Sequence, residues 1–374
     1  MRRFVKPIPF LLSSILILCG VLRITLISSD SLSEQEYAAY NIAALESFSA
    51  LIERIYTAAD CSPLFSVLSF YWVKLNEPNI IFLRLLSSIF GLGTLVMAYM
   101  ATRTFLSRVH AAGVLTLFYF SAYHWYYSVS FTYHSMFLFF ICSNTYAFYS
   151  LCFASKTKIT KWLYVISGIA GFYTSVFIIF HFIAQIGALY CIDRNKRFIS
   201  PKEISMLLGF IFIFSGGMVY HCLHIFFLST VKLQWVSPPH IYTLPNIFLR
   251  FFFGVWGIGT RANNLAYCIA YGVFLMLLCK GFLNAKFQKK TILVRIDNNA
   301  GLTVAAVLTF IQVIVPLIVS FFYPIIDDGK NSLIYLLYPI YTLLAAGILS
   351  FRTCHIRAFM FLSFIASNIH SLIY

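Results

Sequence analysis

ISSDSLSEQEYAAYNIAALESFSALIERIYTAADCSP, residues Ile27–Pro63, holds Asp30, Glu34, Glu36, Glu46, Glu53 and Asp60, half of the 12 acidic residues of the chain. Within it the apolar positions Tyr37, Tyr40, Ala44, Phe48, Leu51 and Ile55 recur at steps of three and four, which predicts one amphipathic helix. An apolar run long enough to cross a bilayer stands directly before it. The helix is therefore expected to lie on the membrane surface with its carboxylates in water. A solvated loop whose acid merely avoids the cytoplasmic side is the competing account.

The rest of the chain decides what kind of protein carries this stretch. Of 374 residues, 60% are hydrophobic, 18% aromatic and 10% charged, whereas a soluble domain carries about 25% charged residues. This is the composition of an all-α polytopic membrane protein. The net charge of +15 falls in short gaps between apolar runs, as orientation signals do, which argues against nucleic-acid binding. Nine cysteines (Cys19, Cys61, Cys142, Cys152, Cys191, Cys222, Cys268, Cys279, Cys354) lie mostly inside apolar runs without CxxC or Cys/His spacing, and read as small core residues.

The N-terminus, MRRFVKPIPFLLSSILILCGVLRITLI, has the basic start and apolar run of a secretory signal. The run is about 20 residues long and lacks an A-x-A-like site, so it reads as a retained first span over Pro7 to Ile27, with Arg2, Arg3 and Lys6 in the cytoplasm. Ser62 to Leu75 is apolar but too short to cross, and is expected to be a juxtamembrane helix on the outer side. Further spans are expected over Asn79–Thr102, Val109–Ser128 and Thr132–Phe153. Trp162–Ile192 reads as two short spans folded at Tyr173–Ser175. Ile204–Leu228, Leu265–Leu283, Leu302–Tyr323, Ser332–Ser350 and Ile356–Ile373 complete a bundle of about 11 transmembrane helices. The proline-rich stretch between Val231 and Asn264 suits an outer re-entrant or interfacial segment. In this topology the N-terminus is cytoplasmic and the C-terminus is outside. Only Asp193, Glu203 and Asp297 among the acids fall inside, and basic residues dominate each cytoplasmic gap. The whole chain, 1–374, reads as one transmembrane domain, with residues 28–75 as its acidic outer first loop.

The expected outer side thus pairs a carboxylate-rich loop with Arg84, Lys232, Arg250, Arg261 and Lys330. That pairing suits displacement at a sugar anomeric carbon with a lipid phosphate as leaving group: a carboxylate removes the acceptor hydroxyl proton, and cations neutralise the departing phosphate. Snorkelling at the interface accounts for Arg84, Arg250 and Arg261 equally simply. His124 and His134 flank the turn after Ser128 and are candidate site residues, whereas His181, His221 and His224 read as core groups. Tyr123, Tyr126, Tyr127 and Tyr133 crowd the same turn, either to stack on sugar rings or as an aromatic belt.

Taken in order, these segments resemble the class-C (GT-C) membrane glycosyltransferases, in particular the branch of the protein mannosyltransferases, the aminoarabinose transferase and the lipopolysaccharide-core galacturonosyl transferases. SEQEYAAYNIA, from Ser33, stands where the family has Asp-Glu-x-x-Tyr. CSPLFSVLSFYWVKL, from Cys61, resembles its His-Pro-Pro-Leu-Tyr segment. IIFLRLLSSIFGLGTLVMAYMATRTF, from Ile80, places Arg84, Ser87, Phe90 and Gly91 as the family pattern expects. YHWYYSVSFTYHS resembles the turn that reads Tyr-Ser-Gln-Glu-Ala-Arg. Trp235–Gly254 and Leu333–Leu349 resemble the proline-rich outer segment and the late Arg-Tyr-Leu-x-Pro span, with Pro339 one place late. The sequence departs from the family at several positions. The family's Asp falls on Ser33, leaving Glu34 as the matching Glu beside Asp30 and Glu36. The Glu and Arg of the turn fall on Ser130 and Thr132, and the late Arg falls on Ile334, with Lys330 one helical turn earlier.

The resemblance implies a multi-pass enzyme of the inner (plasma) membrane that transfers a sugar from a polyprenyl-phosphate donor to a lipid, glycan or protein acceptor on the outer face, among membrane lipids. It implies Glu34 as general base, assisted by Asp30 or Glu36. Arg84, Lys330 and Arg250 would contact the donor phosphate, and His124, Tyr127 and His134 the acceptor and sugar. Inversion at the anomeric carbon is expected. The family is divided on a divalent metal and the sequence has no metal-spacing motif, so a metal is left open and no other cofactor is expected. Two alternatives remain. The first is a non-catalytic GT-C relative that binds or assembles lipid-linked glycans, in keeping with the substituted motif positions. The second is a transporter or flippase, which predicts mid-membrane charges and paired half-helices.

Overall fold

The computed structural model describes residues 31–57, 62–76, 79–154, 157–191, 199–220, 239–240, 242–254, 265–284, 298–322 and 333–373. The expected first span, Asp30, Arg261, Lys232 and Lys330 lie outside them. The architecture is helical throughout these residues: α1 (Glu34–Ala43), α2 (Phe48–Thr57), α3 (Pro63–Val73), α4 (Ile80–Phe105), α5 (Arg108–Phe120), α6 (Ala122–Val129), α7 (His134–Tyr149), α8 (Lys158–Thr174), α9 (Ile178–Cys191), α10 (Pro201–Phe214), α11 (Thr243–Phe253), α12 (Leu265–Asn284), α13 (Asn298–Phe322), α14 (Leu337–Leu349) and α15 (Cys354–Ile373).

Polar caps set the helix starts. Asn79 accepts the Phe82 amide at 2.7 Å to open α4, and Ser121 accepts the His124 amide at 3.1 Å to open α6. Pro63 and Pro201 occupy first-turn positions of α3 and α10, where a missing N–H costs nothing. Glycine ends α11: Gly254 has φ 88°, a left-handed cap that suits a residue without Cβ.

Three described helices are long and apolar enough to cross a membrane, over Ile80–Phe105, His134–Ala154 and Gly301–Ser320, and several shorter apolar helices accompany them. At 26 residues α4 extends about 39 Å, more than a hydrocarbon core of roughly 30 Å. Ile213 and Phe214 on α10 and Phe359 and Leu362 on α15 expose large apolar side chains outward, as lipid-facing positions do. Inside, α7 packs along α4, α9 against α13, and α12 against α14. Helix α14 is the centre: every residue from Leu337 to Ile348 is buried.

Several sequence expectations are met in place. The two short spans expected over Trp162–Ile192 are α8 and α9, broken after Thr174. His181 is a core group, as expected. Its ring nitrogens lie 2.8 Å from Gln185 Nε2 and 2.7 Å from Gln312 Nε2. Tyr164 donates to Gln185 at 2.7 Å, and Gln185 donates to Asn144 at 2.8 Å. These contacts tie α7, α8, α9 and α13 together in an interior where unpaired polar groups are costly.

Others are corrected. The single amphipathic helix expected over Tyr37–Ile55 is two helices, because Ser47 caps a new start by accepting the Ala50 amide at 3.2 Å. Each half serves a different part of α3. Ala43 of α1 joins Phe65, Leu83 and Phe131, whereas Leu51 and Ile55 of α2 join Phe70. Likewise the expected span Val109–Ser128 is interrupted at Ser121, where α5 ends and α6 begins.

Candidate functional site

The site begins with the spacing Ser33-x-x-Glu36. Ser33 Oγ accepts the Glu36 amide at 3.4 Å and Glu36 Oε2 accepts the Ser33 amide at 3.0 Å, a capping box that starts α1. Its acidic member does not face water, as the surface-helix reading expected. Glu36 is 2% exposed and reaches into the bundle. There Arg84 of α4 donates from Nε to Oε1 and from Nη2 to Oε2, both at 2.8 Å, and the Phe131 amide donates to Oε1 at 2.9 Å. Each carboxylate oxygen accepts two hydrogen bonds.

This geometry separates the two first-loop glutamates. Glu34 sits in the exposed first turn of α1. Arg84, read from sequence as a snorkelling or phosphate-binding cation, is instead buried in a bidentate pair with Glu36. Burial alone would raise the Glu36 carboxyl above its ordinary value of 4.5, but Arg84 and the Phe131 and Ser33 amides outweigh it and hold the group lower. The sign of the consequence follows. A carboxyl depressed in the folded state contributes stability in full above its ordinary value and loses it as pH falls through the lowered one. Wild-type protein is therefore expected to lose thermal stability on acidification below about pH 4.5 more steeply than a Glu36→Leu/Arg84→Met double variant, as measured by unfolding in micelles.

The turn held by Glu36 carries the next group of side chains. Ser87 of α4 donates to the Thr132 carbonyl at 3.1 Å and accepts the Thr132 amide at 3.3 Å, while Ser135 donates to the Ser87 carbonyl at 2.9 Å. Thr132 Oγ1 then meets His134 Nδ1 at 3.0 Å. The His134 ring is buried, stacked on Tyr133 at 4.2 Å and tilted against Tyr127 at 4.7 Å, and its Nε2 has no hydrogen-bond partner among the described residues. Two of the tyrosines, Tyr123 and Tyr127, face the interior rather than forming a belt. Tyr123 and Tyr127 are buried and their rings lie 4.9 Å apart, with Tyr126 4.9 Å from Tyr127.

Helix α6 thereby links two charged regions. At one side, the Phe131 amide in the turn after α6 donates to Glu36, the partner of Arg84. On the other side the Tyr123 ring packs at 5.0 Å on Phe251 of α11, the residue that follows Arg250. His124 is buried edge-on to Phe118 at 5.4 Å. Glu36, Arg84, Tyr127, His134 and Arg250 thus gather around α6 and the turn that follows it. Glu34 lies at their margin. The sequence reading missed Ser33 as the cap, Thr132 as the partner of His134 and the Phe131 amide. The first was detectable in the Ser-x-x-Glu spacing; the last is a backbone group that no side-chain motif marks. Among the described residues no three His, Cys, Asp or Glu side chains cluster as a metal site requires. Among the described residues, the buried carboxylate of Glu36 is already engaged by Arg84.

No protein-family model matches the sequence, and no curated protein matches it. Among solved structures, the chain superposes on the crystal structure of ArnT from Cupriavidus metallidurans in its apo state, a protein of the GT-C fold. The TM-score is 0.60 and the identity 10%, over 91% of this chain. The chain has the GT-C fold. It is a multi-pass membrane protein that spans 60% of the length of ArnT. At this identity the GT-C likeness is one of helix order and packing, so the chemistry has to be argued from this chain's own residues.

Proposed function

We propose that the chain is an integral-membrane glycosyltransferase that moves a sugar from a polyprenyl-phosphate donor to a hydroxyl of a lipid, glycan or protein acceptor on the outer face of the plasma membrane. The GT-C fold supports the class of reaction. The observation that carries the reading further is α6 and the turn after it, which meet the carboxylate-bearing α1 through the Phe131 amide and Glu36, meet the Arg250-bearing α11 through Tyr123 and Phe251, and hold Tyr127 against His134.

In this reading Glu34, exposed and four residues after Asp30 in sequence, takes the acceptor hydroxyl proton. The acceptor oxygen attacks the anomeric carbon opposite the phosphate. The anomeric carbon–oxygen bond then breaks with its electron pair passing to the polyprenyl phosphate, and the sugar configuration inverts. Arg250, with Lys330, neutralises the departing phosphate. Tyr127, His124 and the open Nε2 of His134 orient sugar and acceptor. Glu36 and Arg84 satisfy one another and hold the turn rather than touching substrate.

Glu34→Gln removes the base and leaves the Glu36–Arg84 pair intact. Its turnover of radiolabelled polyprenyl-phosphate sugars in nanodiscs is expected to fall about 100-fold or more, with donor binding kept. Equal turnover in wild type and variant would remove Glu34 from the mechanism. A second reading, a GT-C relative that binds lipid-linked glycans without transferring them, is favoured by the engagement of Glu36 with Arg84, which leaves fewer carboxylates for chemistry. It predicts donor binding without turnover in wild type.

A further inference from the structure

Two side chains far from the first loop join the end of α11 to the start of α6. The last carbonyls of a helix and its first amides have no partner inside the helix. Here they share partners. Asn368 of α15 donates from Nδ2 to the Phe252 carbonyl at 2.8 Å and accepts the Ala122 amide on Oδ1, also at 2.8 Å. Tyr341 of α14 brings its hydroxyl to 2.7 Å from the Phe251 carbonyl and 2.6 Å from Ser121 Oγ. One phenol proton serves the carbonyl, which can only accept, so Ser121 supplies the other proton while its oxygen accepts the His124 amide. Both Asn368 and Tyr341 are fully buried, and the Tyr341 ring is wedged between Phe118 at 5.1 Å and Phe364 at 5.8 Å. The arrangement also sets the negative end of α11 beside the positive end of α6, which favours the contact.

Arg250 stands in the last turn of α11, immediately before the clamped carbonyls, and Tyr123 and Tyr127 stand in the first and second turns of α6. We infer that Asn368 and Tyr341 are positioning residues that hold the last turn of α11, with Arg250, against the start of α6 to form an anion-binding corner for the donor phosphate. This rests on the reading of Arg250 as a phosphate contact. Neither residue touches the donor. Loss of either clamp frees the two helix ends to slide, and the guanidinium no longer meets the phosphate in register.

The test uses the full chain in nanodiscs, with undecaprenyl phosphate as probe, and compares wild type, Asn368→Ala, Tyr341→Phe, Arg250→Ala and the Asn368→Ala/Arg250→Ala pair. Tyr341→Phe keeps the ring and supplies the answer should Asn368→Ala fail to fold. Hydrogen exchange at 122–125 and 251–254 is expected to quicken in both clamp variants while α4 and α7 stay protected. The Kd for undecaprenyl phosphate is expected to rise about tenfold in Arg250→Ala and in Asn368→Ala, as for loss of one charge-assisted contact. The pair should be no weaker than Arg250→Ala alone, a non-additivity that general loosening would not produce. Unchanged binding in both clamp variants while Arg250→Ala weakens it, or fully additive losses, would overturn the inference. Wild-type binding no tighter than that of Arg250→Ala would instead remove the phosphate role of Arg250, and the positioning role with it.

Discussion

Arg84→Ala is expected to destabilise the folded protein by about 3–5 kcal/mol, because it strands a buried carboxylate. Among the described residues, Glu36 would keep only the Phe131 and Ser33 amides, in an interior where it is 2% exposed. A typical domain has a total stability of roughly 5–15 kcal/mol, so the loss is a large part of it. The prediction separates a buried pair from a phosphate-binding arginine, whose removal would weaken donor binding and leave the fold alone. Replacing both partners by apolar side chains of similar volume, Glu36→Leu with Arg84→Met, is expected to recover part of the stability, since no buried charge is then left unpaired. Recovery will be incomplete, because the Phe131 amide loses its acceptor at a cost of about 1–3 kcal/mol. Thermal unfolding of the three variants in micelles gives the comparison, and an Arg84→Ala protein as stable as wild type would refute the clasp.

Gly347→Leu is expected to prevent folding of the α12–α14 pair. A Cβ at Gly347 would lie 2.0 Å from the Leu277 carbonyl oxygen, and one at Gly281 would lie 2.2 Å from the Leu343 oxygen. The two helices therefore cross backbone to backbone, with a glycine from each at the crossing, as small residues allow in membrane bundles. Helix α14 is buried along its length and has no room to retreat. Overpacking of this kind costs about 1–3 kcal/mol where neighbours can yield, and more where the obstacle is backbone. Gly209→Leu is the control: among the described residues nothing lies within 4 Å of a Cβ built there. Monodisperse protein recovered from membranes should fall sharply for Gly347→Leu and not for Gly209→Leu.

The helices were legible in the sequence wherever their signals were local. Asn79, Ser107 and Thr157 stand as caps before apolar runs, and the break between α8 and α9 follows from a run too long for one span. The break at Ser47 was hidden because the three- and four-residue steps continue in phase across it. The orientation of the first-loop carboxylates was illegible for a geometric reason. Glu34 and Glu36 are two residues apart and so about 200° apart around α1, and only one can face the bundle. The motif resemblance favours Glu34, but the partner that selects Glu36 for the interior is Arg84, 48 residues away. Tyr123 and Tyr127 likewise have the composition of a belt, and only the packing of α6 against α11 and α7 makes them interior groups.

The central claim is sugar transfer, and the most direct measurement follows the donor bond itself. Purified wild-type protein in nanodiscs would be incubated with a panel of undecaprenyl-phosphate sugars labelled at the anomeric carbon, together with lipid and glycan acceptors, and the products resolved by chromatography and NMR. The account expects release of free undecaprenyl phosphate and appearance of the label on an acceptor with inverted anomeric configuration. Donor that binds and is recovered intact across the panel would contradict it and leave a GT-C scaffold that holds lipid-linked sugars without transferring them.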